Sequence, residues 1–129
     1  VITGSCVCGT IALTAPGTPG PVTACHCTQC RKLSGFYSAS FDIDENQTRW
    51  AGTDAIRTYT TPGGGTRAFC STCGTKLWFR AADGAFSVEA GLLDQPTHTT
   101  LTSHIFTADK GGYYQIADGL PQYPGWGPD

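Results

Sequence analysis

The residue type that could do chemistry in this chain is cysteine. Its seven copies fall into three groups, Cys6-Val7-Cys8, Cys25-His26-Cys27-Thr28-Gln29-Cys30 and Cys70-Ser71-Thr72-Cys73. Spacings of one or two residues suit metal knuckles better than cross-links between distant strands. The count divides as four plus three. Cys6, Cys8, Cys70 and Cys73 can close a tetrahedral four-thiolate site, the signature of a structural zinc. Cys25, Cys27 and Cys30 supply three corners of a second tetrahedron and leave the fourth for water or substrate, which is what a catalytic zinc needs. Two zinc ions per chain, with different jobs, are therefore expected.

Competing readings of the same residues lead elsewhere. An odd number of cysteines argues against a stapled, disulfide-bonded domain. The N-terminal VITGSCVCGT has neither a basic n-region nor a long apolar stretch, so a reducing, cytoplasmic setting is expected. The first and third groups could instead be two buried cysteine pairs without metal. The middle group could be closed by His98 or His104 into a Cys3His site, which would make both zincs structural. His26 lies between two ligands and projects to the opposite face if the backbone is extended, so it cannot easily ligate the same ion and is read as a structural or hydrogen-bonding residue rather than a proton shuttle.

A zinc held by three thiolates carries a formal charge of -1 and can accept one more anionic sulfur. Its natural guest is a thiol, which coordination would hold as thiolate near neutral pH. Such a site could position a thiol for addition to an aldehyde, or assist the reverse cleavage of a carbon–sulfur bond. The rival from another class is a non-catalytic zinc module that carries a thiol or binds a protein partner.

The elements that must position these cysteines are short strands. A chain of 129 residues, 40% hydrophobic, fits a single domain spanning residues 1–129 with a modest core. Only 14% of residues are charged and the net charge is -2, so no basic field offers itself to nucleic acid, and no run is long enough for a membrane helix. Gly and Pro turns divide strand candidates at Cys6 to Leu13, a segment running into Cys25, Phe36 to Ile43, Ile56 to Thr60, Arg67 to Phe69, Thr75 to Arg80, Phe86 to Glu89 and Leu101 to Phe106. In the third of these, Tyr37, Ala39, Phe41 and Ile43 share one face. A single short helix is predicted over Gln29 to Ser34, capped by Thr28 and ended by Gly35.

Three motifs in this order carry a resemblance. Gly4-Ser5-Cys6-Val7-Cys8-Gly9, the run Cys25 to Gly35, and Phe69-Cys70-Ser71-Thr72-Cys73-Gly74-Thr75-Lys76-Leu77 resemble the glutathione-dependent formaldehyde-activating enzyme family, also called the centromere protein V family. The later segments Gly91-Leu92-Leu93-Asp94, His104-Ile105-Phe106, Lys110 and Asp118-Gly119-Leu120-Pro121 are similar as well. The resemblance implies a mainly β, Mss4-like fold of several small coiled antiparallel sheets with one short helix, stabilised by zinc. It implies a structural zinc on Cys6, Cys8, Cys70 and Cys73 and a catalytic zinc on Cys25, Cys27 and Cys30. The family's named activity is condensation of formaldehyde with glutathione to S-hydroxymethylglutathione, a carbon–sulfur lyase in the cleavage direction. Glutathione has two carboxylates, and Arg31, directly after Cys30, is the candidate to bind one. Lys32, Arg67 and Lys76 are read as surface charges.

Overall fold

The computed structural model describes residues 1–128. Ten strands and one α-helix are found among them: β1 (Ile2–Ser5), β2 (Ala12–Ala15), β3 (Val22–Cys25), α1 (Thr28–Ser34), β4 (Ser38–Asp42), β5 (Arg49–Ala51), β6 (Ile56–Thr60), β7 (Thr66–Cys70), β8 (Lys76–Arg80), β9 (Phe86–Glu89) and β10 (Leu101–Ile105). They form a three-stranded sheet in the order β1-β2-β5 and a seven-stranded sheet in the order β10-β3-β4-β9-β8-β7-β6. This is the mainly β fold with one short helix that the sequence pattern predicts. One pair departs from the antiparallel rule: β10 runs parallel to β3, with His104 opposite Ala24 and Ile105 opposite Cys25.

Apolar residues from both sheets meet in one buried cluster. Ile2 and Leu13 come from the small sheet, Phe41, Leu77 and Val88 from the large one. Full burial of side chains of this size contributes about 1.5–3 kcal/mol each, so this cluster fixes how the two sheets face each other. Among the described residues no helix is long and apolar enough to cross a membrane.

Two local expectations are corrected by the structure, and one strand is added to them. Cys6 to Leu13 is not one strand, because the chain turns back between β1 and β2. The Cys6 N–H donates to Ile11 O at 3.0 Å and the Gly9 N–H to Cys6 O at 3.0 Å, with Gly9 at φ 78°. Val7 stands at the tip of this turn and is 88% exposed. The helix begins at Thr28, and its cap is Cys27 rather than Thr28, with Cys27 Sγ accepting the Cys30 N–H at 3.4 Å. Its end is as predicted, with Gly35 left-handed at φ 88° and its N–H on Arg31 O. Finally, β5 escapes the sequence pattern, since Arg49-Trp50-Ala51 is too short to show a period; it forms because β2 offers an edge, Leu13 opposite Trp50.

Candidate metal centres and their cavity

The four-cysteine group draws on both sheets. Cys6 and Cys8 come from the β1–β2 turn, Cys70 ends β7 and Cys73 lies in the turn to β8. Their Sγ atoms all lie within 4.8 Å of one another, with Cys6 to Cys8 at 3.5 Å and Cys8 to Cys70 at 3.8 Å. Tetrahedral coordination with metal–sulfur bonds of 2.3 Å requires sulfur–sulfur edges of about 3.8 Å. These spacings bracket the edge that a metal of zinc's size requires.

The two turns are built alike. Each ends in Cys-Gly-Thr, Cys8-Gly9-Thr10 and Cys73-Gly74-Thr75, with the glycines left-handed at φ 78° and 77°. The threonine hydroxyl lies beside the preceding sulfur, at 3.3 Å from Cys8 and 3.1 Å from Cys73. The Thr75 hydroxyl brings the Cys73 thiol down to about 5, and Thr10 lowers Cys8 in the same way, while burial pushes Cys6 up. The Val7 N–H donates to Thr75 Oγ1 at 3.1 Å, so the turns are tied by a hydrogen bond as well.

The three-cysteine group is local. Cys25 ends β3, Cys27 caps α1 and Cys30 lies in its first turn, a strand-to-helix junction that gathers the three Sγ atoms within 4.8 Å. No His, Asp or Glu joins either group among the described residues. The Cys27 thiol is lowered, first because Cys25 and Cys30 hydrogen-bond to it; Cys25 is raised correspondingly. The group borders a cavity of about 870 Å³, whose lining includes Cys25, Cys27, Cys30, Arg67, Phe79 and Glu89.

A family model described as "Glutathione-dependent formaldehyde-activating enzyme" matches residues 1–109. The chain belongs to this family. An uncharacterized lyase of Schizosaccharomyces pombe is 25% identical over 117 residues, covering 89% of this chain and 85% of that protein. The crystal structure of a Rhodobacter sphaeroides protein superposes with a TM-score of 0.59 at 21% identity, over 78% of this chain and 99% of that one, which shows the shared fold.

In this family member His26 and His104 form a buried hydrogen-bonded chain. His26 is fully buried, and its Nε2 lies 2.9 Å from His104 Nδ1, while His104 Nε2 lies 2.7 Å from Asp118 Oδ2. The Asp118 carboxylate can only accept, so His104 carries its proton on Nε2, His26 Nε2–H donates to His104 Nδ1, and the Tyr114 hydroxyl donates to His26 Nδ1. Burial holds His26 below its usual pKa and Tyr114 above its own, which keeps both neutral. Both His104 nitrogens are thus engaged, so the closed Cys3His site is not formed by His104, and His98 joins neither cysteine group.

The arginines are placed differently from their order along the chain. Arg31 follows Cys30 but turns with the helix towards Gly111, its Nε is buried without a hydrogen-bond partner, and it is not among the residues lining the cavity. Arg67, which the sequence places on the surface, enters the cavity from β7. Its Nε donates to Gln29 Oε1 at 3.0 Å, its Nη2 to Cys30 Sγ at 3.7 Å, and its guanidinium sits 4.6 Å from the centroid of Phe79, its cross-strand partner. Lys76 is not a free surface charge either, since it pairs with Glu89 at 3.1 Å. Glu89 also accepts from the Ser38 hydroxyl at 2.7 Å, and Ser38 stands opposite Cys25 in the sheet. Nothing in the local sequence flags Arg67 or Glu89, because sheet register alone brings them to the cysteines.

Phe106 and Trp126 line the same cavity from β10's exit and the C-terminal segment. Phe106 has φ 53° and ψ 38°, a left-handed conformation that costs a bulky L-residue roughly 1–2 kcal/mol.

Proposed function

We propose that this protein is a zinc-dependent carbon–sulfur lyase that forms and cleaves thiol–aldehyde adducts, with S-hydroxymethylglutathione the first adduct to try. One observation carries the reading: three convergent thiols face a cavity, and no fourth protein ligand stands near them among the described residues. Family membership and a relative named a lyase support the reaction class. Zinc held by Cys25, Cys27 and Cys30 would keep the substrate sulfur as a thiolate and so make it a better nucleophile and a better leaving group. The four-cysteine group would hold a second, structural zinc.

The chain's own residues supply the rest. In the cleavage direction the adduct's hydroxyl loses its proton as its carbon–oxygen bond becomes a carbonyl, the carbon–sulfur bond breaks with its electrons going to sulfur, and the proton is returned to that sulfur on release. Glu89, held by Ser38 and Lys76 close to Cys25, is placed to take and return this proton. Arg67, fixed by Gln29 and Phe79, offers its remaining N–H groups to a substrate carboxylate, a charge-assisted contact. Its N–H on Cys30 Sγ also draws charge from the thiolate set.

Zinc-loaded protein should consume hemithioacetals of small thiols and aldehydes, with Glu89→Gln slowed by on the order of 10²–10⁴. In a cobalt-loaded sample the sulfur-to-metal absorption should shift when thiol is added. A spectral response without turnover on any adduct would leave a thiol carrier, and no response at saturating thiol would remove the three-cysteine group from chemistry.

A further inference from the structure

Phe106 adopts a backbone conformation where glycine would be the ordinary choice, and it is one of two non-glycine residues with positive φ among those described. The chain keeps an aromatic residue there, and a bulky residue held in a strained conformation on a cavity wall points to a use for its side chain. The surroundings enforce the position. The Phe106 N–H donates to Gly125 O at 2.9 Å and the Thr107 N–H to Tyr123 O at 3.1 Å, so the C-terminal segment is stitched against the end of β10. Ile105 stands opposite Cys25, which puts Phe106 next to the cysteine junction.

Trp126 completes the wall. Its ring lies edge-to-face with Phe106, centroids 4.8 Å apart at 77°, yet 78% of the residue is exposed. A large aromatic side chain held at a cavity edge and left mostly solvated has apolar surface still to bury. Trp126 also lies beyond residues 1–109, the part of the chain that matches the family.

We infer that Phe106 and Trp126, packed edge-to-face on each other, act as a one-sided aromatic clamp, a ledge on the cavity wall that selects thiols and thiol adducts bearing a flat, apolar group such as an aryl ring. A one-carbon aldehyde would leave the exposed face of Trp126 uncovered, and glutathione has no flat apolar group to cover it. Arg67 and Phe79 stand on the β7–β8 side of the cavity and the clamp on the β10 side, so a substrate with its sulfur at Cys25, Cys27 and Cys30 could reach both. The inference rests on the proposed reading of those cysteines as the sulfur-binding centre.

Isothermal titration of zinc-loaded wild type, Trp126→Ala and Phe106→Gly with benzyl mercaptan and with ethanethiol tests the clamp. Trp126→Ala should weaken benzyl mercaptan about fivefold or more and leave ethanethiol unchanged. Phe106→Gly should lose the same preference while its melting temperature holds or rises, because the backbone strain is relieved. Undiminished benzyl mercaptan affinity in Trp126→Ala, or equal losses for both thiols, would overturn the clamp, and the exposed Trp126 keeps this test valid even if Phe106→Gly misfolds. If neither thiol binds wild type, the lyase reading falls, and benzyl alcohol, which has the ring without the sulfur, then decides the clamp. Saturable fluorescence quenching that Trp126→Ala abolishes would sustain it, and no quenching at millimolar benzyl alcohol would end it.

Discussion

Cys6, Cys8, Cys70 and Cys73 bridge turns of two different sheets, whereas Cys25, Cys27 and Cys30 occupy a single strand-to-helix junction with a cavity in front of them. The first group closes a loop of more than sixty residues, and its sulfurs are wrapped by threonine hydroxyls and backbone N–H groups. The second lies within a stretch of six residues and has an arginine beside one sulfur. Tying distant segments removes far more chain entropy than tying neighbours. Identical side chains thus stand in opposite settings: one group joins turns of two sheets, the other sits at a single junction.

The sharpest way to break this comparison is to remove one ligand from each group. Structural zinc contributes apparent binding energies on the order of 10 kcal/mol, comparable to the whole stability of a small domain. Cys70→Ser is expected to be unfolded or insoluble at 25 °C, while Cys27→Ser keeps a cooperative thermal transition by circular dichroism. Equal unfolding of both would erase the distinction between the groups.

Metal removal gives the next largest effect. Metal analysis should return two zinc ions per chain, and a chelator should strip them in two phases, the ion on Cys25, Cys27 and Cys30 leaving first because its cavity admits the chelator. The fold should survive the first phase and be lost in the second. A single phase, or one zinc per chain, would contradict the division.

Within the cavity, Arg67→Ala should weaken a carboxylate-bearing thiol such as mercaptoacetate by roughly 1–3 kcal/mol relative to mercaptoethanol. Arg31→Ala should have the smaller effect, since that side chain does not line the cavity. Calorimetric titration in which Arg31→Ala shows the larger loss would return the carboxylate to Arg31.

The smallest effect concerns the clasp over His26. The Leu120 N–H and then His104 hold the Asp118 carboxyl below its ordinary value. A carboxyl lowered on folding stabilises the native state above its unfolded pKa of about 3.9, and that stability is lost as pH falls through the folded value. Asp118→Asn should therefore lower the melting temperature slightly at neutral pH and converge with wild type in acid. A constant gap down to pH 2 would mean that the charge plays no part.

Sequence alone made the cysteine arithmetic legible, because ligand spacing is local and survives without knowledge of the fold. It also located α1, whose end at Gly35 is a backbone rule, and strands such as β6 and β9, bounded by clear turns. Arg67 was hidden for the opposite reason. Helical rotation of about 100° per residue carries Arg31 away from Cys30's face, while strand register brings Arg67 from 37 positions away. Val7 misled because alternation in Cys6-Val7-Cys8 imitates a strand, and only the left-handed Gly9 reveals a turn. Phe106 carries no sequence signal at all, since nothing in Ile105-Phe106-Thr107 announces a positive φ.

The parallel pairing of β10 with β3 sets a timetable for the growing chain. Cys25, Cys27 and Cys30 are synthesised early, but Ile105, which lies opposite Cys25, follows about 75 residues later. At 5–20 residues per second this interval lasts roughly 4–15 s. During it the three thiols stand on the nascent chain without β10 beside them, and the partner knuckle of Cys6 and Cys8, at Cys70 and Cys73, emerges first. If both groups take metal as proposed, its delivery would be ordered by translation: the cross-sheet site could be filled before the wall around the three-cysteine group has been made.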